Sequence, residues 1–193
     1  MNYPNKKKSF EKVITTSKLG MTLETDINLT NTYYLEKKIA VIHKKPTPVQ
    51  VVKVSYPSRN KAKIIEAYYK TPSTTDYNGI YKGYYIDFDC KETNHKTSLP
   101  LANIHKHQQQ HLKDVYNQGG IAFLIVHFKR HQKYFLMPYL SLKPYFDQEI
   151  KRQSIPFDDF VKKGLEIPFG LMPRLDYLKA IDQMISALSH DDK

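Results

Sequence analysis

Residues 84–91 have the sequence Tyr-Tyr-Ile-Asp-Phe-Asp-Cys-Lys, and this stretch decides the fold. It predicts a strand, and side chains of a strand alternate between its two faces. The apolar residues of the stretch then point into the core, whereas three charged side chains share the opposite face: Asp87, Asp89 and Lys91. Three charges in a row on a half-buried strand are costly unless something binds them. A divalent cation with a phosphate would do so, and Mg²⁺ prefers oxygen ligands.

A polar loop precedes this strand. Residues 73–79 read Ser-Thr-Thr-Asp-Tyr-Asn-Gly, and Thr74 and Asp76 could supply further oxygen ligands. The pattern alone is weak, because Asp-x-Lys is common and more often forms a surface ion pair. If the pattern is instead a metal site, Lys91 would place a positive charge beside an attacked phosphate or the attacking water.

The surrounding pattern predicts an α/β fold. Residues 121–128 form an almost continuous apolar run, typical of a central buried strand. Residues 103–118 predict a helix that ends at a Gly-Gly pair. Further strands are predicted at 39–42, 49–56, 61–69 and 133–137, helices at 22–37, 140–150, 157–163 and 174–188, and a loop at 71–83. This order favours a mixed central β-sheet flanked by helices.

The helix at 103–118 carries a polar residue within its apolar stripe. Gln108 shares one helical face with Ile104, Leu112 and Val115. It is either a glutamine at the edge of the core bonded to the backbone, or an outer ligand for a metal or its water. His107 and His111 have the i, i+4 spacing of a zinc site, but no HExxH glutamate accompanies them. We expect these histidines to bond locally or to meet DNA phosphates.

The composition points to nucleic acid as the partner. The 193 residues carry a formal net charge of +11, with 30 Lys and Arg against 19 Asp and Glu. No stretch approaches the roughly 20 apolar residues of a membrane span. One cysteine, Cys90, excludes a disulfide framework. No apolar stretch follows the basic residues 1–8, so they do not predict a signal peptide. We therefore expect a cytoplasmic protein.

The basic charge is concentrated in two segments. Residues 1–19 predict a flexible basic arm ahead of a single domain at 20–193. No acidic residue occurs between Glu36 and Glu66, and this gap holds eight basic residues. Residues 44–70 therefore look like a protruding basic hairpin. A solvated surface is the alternative, although such a surface normally mixes both signs of charge.

Several longer stretches resemble the RecU family of Holliday junction resolvases, which has the PD-(D/E)xK, restriction endonuclease-like fold. The matching stretches are 20–24, 39–50, 71–79, 83–88, 103–111 and 173–178. Together they span roughly residues 20–180, and runs of this length do not arise by chance.

The resemblance implies a site and a mechanism. Metal-binding positions of the family match Thr74, Asp76, Asp89 and Gln108, and the lysine proposed to stabilise the transition state matches Lys91. Glu24 matches a helix glutamate near the site. The cofactor would be Mg²⁺, with Mn²⁺ able to substitute. The hairpin at about 44–70 matches the family's stalk, which enters the junction centre. Its expected DNA-binding residues are Lys44, Lys45, Lys53, Arg59, Lys61 and Lys63.

The implied activity is symmetric endonuclease cleavage of four-way DNA junctions by a homodimer. Hydrolysis would leave 5′-phosphates, in recombination, repair and chromosome segregation, on the nucleoid and alongside recombination proteins. Two alternatives stay open: a junction-binding relative that cuts poorly, and a general nuclease of the same fold.

The sequence departs from the family pattern at two places. The family usually has Glu where this chain has Asp89, which would draw the metal nearer the strand. The arm before Gly20 is short and lacks the arginines common there, so the roles of that arm are in question here.

Overall fold

A central mixed sheet with helices on both faces forms the body of the protein. The structure is a computed structural model that describes residues 22–58, 61–70 and 73–191. The predicted arm at 1–19 and the predicted DNA contact Arg59 lie outside these residues. Within them, no helix is both long enough and apolar enough to cross a bilayer.

The described residues form five α-helices and ten strands. The helices are α1 (Leu23–Glu36), α2 (Lys106–Asn117), α3 (Tyr139–Phe146), α4 (Phe157–Lys163) and α5 (Leu178–Asp191). The strands are β1 (Val41–Lys44), β2 (Val49–Ser55), β3 (Lys63–Tyr69), β4 (Tyr77–Tyr81), β5 (Tyr84–Thr93), β6 (Ser98–Pro100), β7 (Ile121–Phe128), β8 (Lys133–Pro138), β9 (Ser154–Pro156) and β10 (Leu165–Ile167).

Six strands make the central sheet in the order β1-β4-β5-β7-β8-β10. The pair β5–β7 is parallel and the other pairs are antiparallel. All eight residues of β7 are buried, as the apolar run predicted. The predicted fold class, a mixed sheet flanked by helices, is confirmed.

The two faces of the sheet have separate cores. One face packs on α1 and α5, and three rings stack there in sequence: Tyr77 on Phe88 at 4.9 Å and Phe88 on Phe123 at 4.8 Å. Each such pair contributes about 0.5 to 1.5 kcal/mol beyond its buried area. The other face packs on α2, α3 and α4. The charged face of β5 therefore looks toward α2.

The helix α1 is held by residues from the far end of the chain. The Tyr34 hydroxyl donates to Asp176 Oδ1 at 2.9 Å, and Arg174 Nε lies 2.8 Å from Asp26 Oδ1. The backbone N–H of Leu175 donates to the Thr30 hydroxyl at 3.1 Å. Because residues 174–177 make these contacts, α5 begins at Leu178 and not at Arg174 as predicted.

The segment predicted as a loop at 71–83 contains strand β4, so that prediction was wrong. The Asn78-Gly79 pair suggested a turn, but the turn falls four residues later. Lys82 (φ 50°) and Gly83 (φ 83°) connect β4 to β5, as a two-residue hairpin loop requires.

The predicted basic hairpin forms a separate sheet. Strands β2 and β3 pair with each other, and among the described residues neither pairs with the central sheet. Its side chains are exposed along nearly its whole length, including apolar ones such as Ile65 and Tyr69, which is 84% exposed. The hairpin therefore adds almost nothing to the core.

Gly79 lets β1 and β4 approach closely, and this leads to a prediction about stability. A Cβ at this position would overlap Val41 O and lie 2.6 Å from Ile42 Cα, both backbone atoms. We expect Gly79→Ala to lower the free energy of unfolding by about 1 to 3 kcal/mol, because backbone cannot yield as a side chain can. Thermal or denaturant unfolding measures this.

Ile80→Ala is the matched control, since it truncates an exposed side chain on the same strand. Equal melting temperatures for the Gly79→Ala variant and the unchanged protein would contradict the close approach.

Candidate nuclease site

The charged face of β5 forms the floor of the candidate site. Asp87 and Asp89 have no exposed surface, and Lys91 is half-buried beside them. Their neighbours on the parallel strand β7 are Ala122, Leu124 and Val126, which belong to the core under α2. The alternation predicted from the sequence is confirmed, and it places two carboxylates in an environment of low polarity.

Asp89 has one bonded oxygen and one that lacks a hydrogen bond. The Gln108 side-chain amide donates to Oδ2. Oδ1 is buried and accepts no hydrogen bond of good geometry, although Lys91 Nζ lies 3.0 Å away. Burial raises the pKa of Asp89 to about 6, with Lys91 opposing the shift and the charge of Asp76 adding to it. A buried carboxylate oxygen that contacts only an ammonium group could also be a ligand for a divalent cation.

A cleft brings other predicted residues to the same place. Glu24, Asp76 and Lys91 line it, together with Cys90 and Glu92. Asp76 is exposed in this cleft. Thr74, two residues before Asp76, is half-buried, and its hydroxyl donates to the Thr75 carbonyl at 3.1 Å. The side chain of Glu24 is paired with Lys44, whose Nζ lies 2.5 Å from Oε1.

Gln108 bonds both to the backbone at the start of α2 and to Asp89. Its Oε1 accepts from the His105 backbone N–H at 3.1 Å, and its Nε2 donates to Asp89. The carbonyl oxygen is thus engaged at the start of α2, and an amide nitrogen is not a ligand for Mg²⁺. In this arrangement Gln108 orients Asp89, and its role toward a metal stays a prediction.

Asp87 is the centre of a second cluster, which the sequence analysis did not assign. Lys45 Nζ lies 2.7 Å from its Oδ2, Tyr85 OH donates to Oδ2 at 2.9 Å, and His111 Nε2 lies 3.1 Å from the same oxygen. The Thr75 hydroxyl donates to Oδ1. The signal in the sequence was the buried charge itself, since such a carboxylate must find donors.

The predicted DNA-binding lysines separate into two groups. Lys53, Lys61 and Lys63 are exposed on the hairpin or its connection. Lys44 and Lys45 instead pair with Glu24 and Asp87. Their DNA-binding role stays a prediction.

The histidines of α2 do not form a cluster with acidic groups that would suit a metal. Across residues 22–58, 61–70 and 73–191, no three His, Cys, Asp or Glu side chains are grouped so that they could hold an ion. His105 and His107 stack on each other at 5.5 Å, and His107 Nε2 is buried without a partner. The proposed magnesium ligands include just two carboxylates, so they do not depend on such a group.

Comparison with known proteins places the sequence among recombination proteins. The family model "RecU: Recombination protein U" matches residues 18–183. A Staphylococcus epidermidis protein named Holliday junction resolvase RecU is 50% identical over 99% of this chain and 99% of its own. A Staphylococcus aureus protein of the same name is 55% identical over 89% of this chain and 84% of its own.

A solved structure also matches. The Holliday junction resolvase Hjc of Archaeoglobus fulgidus aligns with 69% of this chain and 92% of its own, with a TM-score of 0.39 and 13% identity.

The pKa of Asp89 leads to a prediction about pH. A carboxylate must be ionised to hold a cation, and Asp89 loses its charge as the pH falls through about 6. We expect the Mg²⁺ concentration that gives half-maximal DNA cleavage to rise steeply between pH 7 and pH 5. The measurement is a Mg²⁺ titration of the cleavage rate at several pH values. The same Mg²⁺ requirement at pH 5 and pH 7 would exclude Asp89 as a ligand.

Proposed function

The chain belongs to the RecU family, and on that premise we propose that it is a magnesium-dependent endonuclease that cuts four-way DNA junctions symmetrically. The observation that carries the proposal is Asp89. It is fully buried, has an oxygen without a hydrogen bond, and lies beside Lys91 and near Asp76. Among the described residues its Oδ1 contacts Lys91 alone, and Lys91 stays partly accessible, so the pair is open to the cleft.

The residues of the cleft have separate parts in the proposed reaction. Asp76 and Asp89 would hold Mg²⁺, with Thr74 beside them, and Mn²⁺ would be accepted at the same oxygens. When bound, the ion would lower the pKa of a water molecule and neutralise charge on the phosphate. Gln108 keeps Asp89 oriented through its own bond to the start of α2.

Lys91 would stabilise the charge that develops on the phosphate. Its ammonium group lies 3.0 Å from Asp89 and remains partly accessible from the cleft. As water attacks phosphorus, the bond from phosphorus to the 3′ oxygen breaks, and the leaving oxygen takes up a proton. The products are a 5′-phosphate and a 3′-hydroxyl, and a positive charge placed in advance lowers the barrier.

The hairpin would provide selectivity for the junction. It projects from the nuclease body, and Lys53, Lys61 and Lys63 are exposed. Phosphates from four strands converge at the centre of a junction, so a basic projection releases more counterions there than on a duplex. Symmetric cleavage needs two sites, and two copies of the chain would supply them. The substrate implies a role in recombination and repair, on the nucleoid in the cytoplasm and together with other recombination proteins.

Substitutions in the cleft test the catalytic assignment. We expect Asp76→Ala and Asp89→Ala to abolish cleavage while junction binding stays intact, because removing an acid does not weaken attraction to phosphate. Lys91→Ala should lower the rate by about 10²-fold, and Lys91→Arg should not fully restore it, since a planar fork replaces a compact charge. The measurements are cleavage and gel shift on junction, duplex and single-stranded DNA with Mg²⁺.

Asp158→Ala is the control for lost charge, because Asp158 is exposed on α4 and does not line the cleft. Normal cleavage by either Asp variant would refute the site. Binding without cleavage by the unchanged protein would favour the alternative of a junction-binding relative, and equal cleavage of all three DNAs would favour a general nuclease. If Asp89→Glu cleaves junctions as fast as the unchanged protein or faster, the shorter acid is a variation that the family tolerates.

Deleting the hairpin tip, about Val52 to Lys63, tests the origin of junction selectivity. We expect the fold to survive, because the hairpin is exposed and pairs only with itself in the described part of the chain. Junction binding should weaken much more than duplex binding, and its salt dependence should flatten. Gel shifts on both DNAs over a range of salt measure this.

A triple Ala variant of Lys53, Lys61 and Lys63 keeps the hairpin and removes its charge, so it separates charge from shape. If the deletion weakens binding to junction and duplex DNA equally, the hairpin is a general basic patch and not a junction-specific stalk.

A further inference from the structure

Both ends of the hairpin insertion are attached to the same buried carboxylate. Lys45 precedes β2, and its Nζ lies 2.7 Å from Asp87 Oδ2 and 3.0 Å from the Thr75 hydroxyl. Thr75 follows β3, and its hydroxyl donates to Asp87 Oδ1. The entering and leaving segments of the hairpin thus meet at Asp87, two residues before Asp89 on the same strand.

Lys45 differs from the other basic residues of the acid-free segment. Its side chain is 18% exposed, and its ammonium group contacts Asp87, Thr75 and the His111 ring, whose Nε2 is 3.4 Å away. Lys53, Lys61 and Lys63 are exposed. An ammonium group that already has two acceptors inside the protein is poorly placed to neutralise a phosphate.

The backbone of Lys45 reaches the candidate site as well. Pairing of β1 with β4 ends at Lys44 opposite Tyr77, and the next N–H, that of Lys45, donates to the Asp76 carbonyl at 2.7 Å. Asp76 also follows Thr75 directly. A shift of the Lys45 side chain would therefore move the backbone that carries Asp76 from two sides.

A charged contact is suited to holding a position. Buried ion pairs contribute little to stability when compared with apolar residues of the same volume, but removing one partner leaves an uncompensated charge. Four side chains from different parts of the fold bond to Asp87, and together they fix the relative positions of those parts. They are Lys45 after β1, Thr75 before β4, Tyr85 on β5 and His111 on α2.

We propose that Lys45, Asp87 and Thr75 form a clamp that joins the hairpin to the catalytic loop, and that Lys45 is a positioning residue for Asp76 and not a DNA contact. The clamp rests on the proposed nuclease function for its role in cleavage. Through the clamp, the rate of cleavage depends on the position of Lys45 and Thr75 at the two ends of the hairpin.

Lys45→Met tests the clamp, because it keeps the length of the side chain and removes the charge. We expect the junction Kd, measured without metal in EDTA, to stay within about twofold of the unchanged protein. The single-turnover cleavage rate at saturating protein should fall by between about 10- and 100-fold, as for small misplacements of catalytic groups. Hydrogen exchange should become faster in peptides covering 41–48 and 73–81, and stay unchanged in β7.

Thr75→Val removes one hydroxyl and keeps the Lys45–Asp87 pair, so it carries the same test if Lys45→Met does not fold. It should give the same three changes at smaller size. A double variant of Thr75→Val and Lys45→Met should cost less than the sum of the two, since contacting residues are not additive. Lys162→Met is the control, because Lys162 is exposed on α4.

A weaker junction Kd with a normal rate at saturation would overturn the proposal and make Lys45 a DNA contact. Unchanged exchange in both peptides would overturn it too. If the unchanged protein does not cut junctions at all, the nuclease proposal fails, whereas the exchange measurement still decides whether the clamp exists.

Discussion

Two carboxylates with no exposed surface lie two residues apart on β5, and the arrangement of the site follows from the need to satisfy them. Other elements of the fold supply hydrogen-bond donors to each of them. Asp89 takes its donor from α2, and Asp87 takes donors from the segments on either side of the hairpin and from α2. Because an unpaired buried charge is costly, the contacts to Asp87 and Asp89 fix the positions of these elements relative to β5.

The two carboxylates are satisfied to different degrees, and this difference separates structure from chemistry. Asp87 has donors on both oxygens, so it is fully used in holding the fold. Asp89 keeps one oxygen without a hydrogen bond, and burial raises its pKa. Perturbed groups of this kind concentrate at functional sites. Thus one acid of the pair stabilises the geometry in which the other can bind a cation.

The sequence correctly predicted elements whose hydrophobic pattern extends over many residues, and charged residues that share one face of a strand. The apolar run of β7 and the alternation of β5 are confirmed. It failed where tertiary contacts override local signals. Asn78-Gly79 has the composition of a turn, yet Tyr77 and Tyr81 are buried and hold β4 in the sheet. Strands β6, β9 and β10 have three residues each, too few for a period to be visible.

The candidate site could be predicted only in part for a similar reason. Pattern and family resemblance can place a strand, a loop and one face of a helix. The proximity of four residues could therefore be predicted: Asp76, Asp89, Lys91 and Gln108. The partners of Asp87 could not be, since Lys45 is 42 positions away and its burial depends on where the hairpin leaves the sheet. A lysine in a basic run looks like a surface residue until the fold shows what it touches.

The hold of the C-terminal residues on α1 has a consequence for how the chain is made. Tyr34 and Asp176 are 142 positions apart, so α1 leaves the ribosome long before its partners are translated, on the order of ten seconds at ordinary rates of synthesis. During that time the apolar face of α1 has no α5 to cover it. Glu24 lines the cleft from this same helix, and the cleft is therefore completed only when the last helix emerges. A nascent chain would carry strand β5 without the finished cleft.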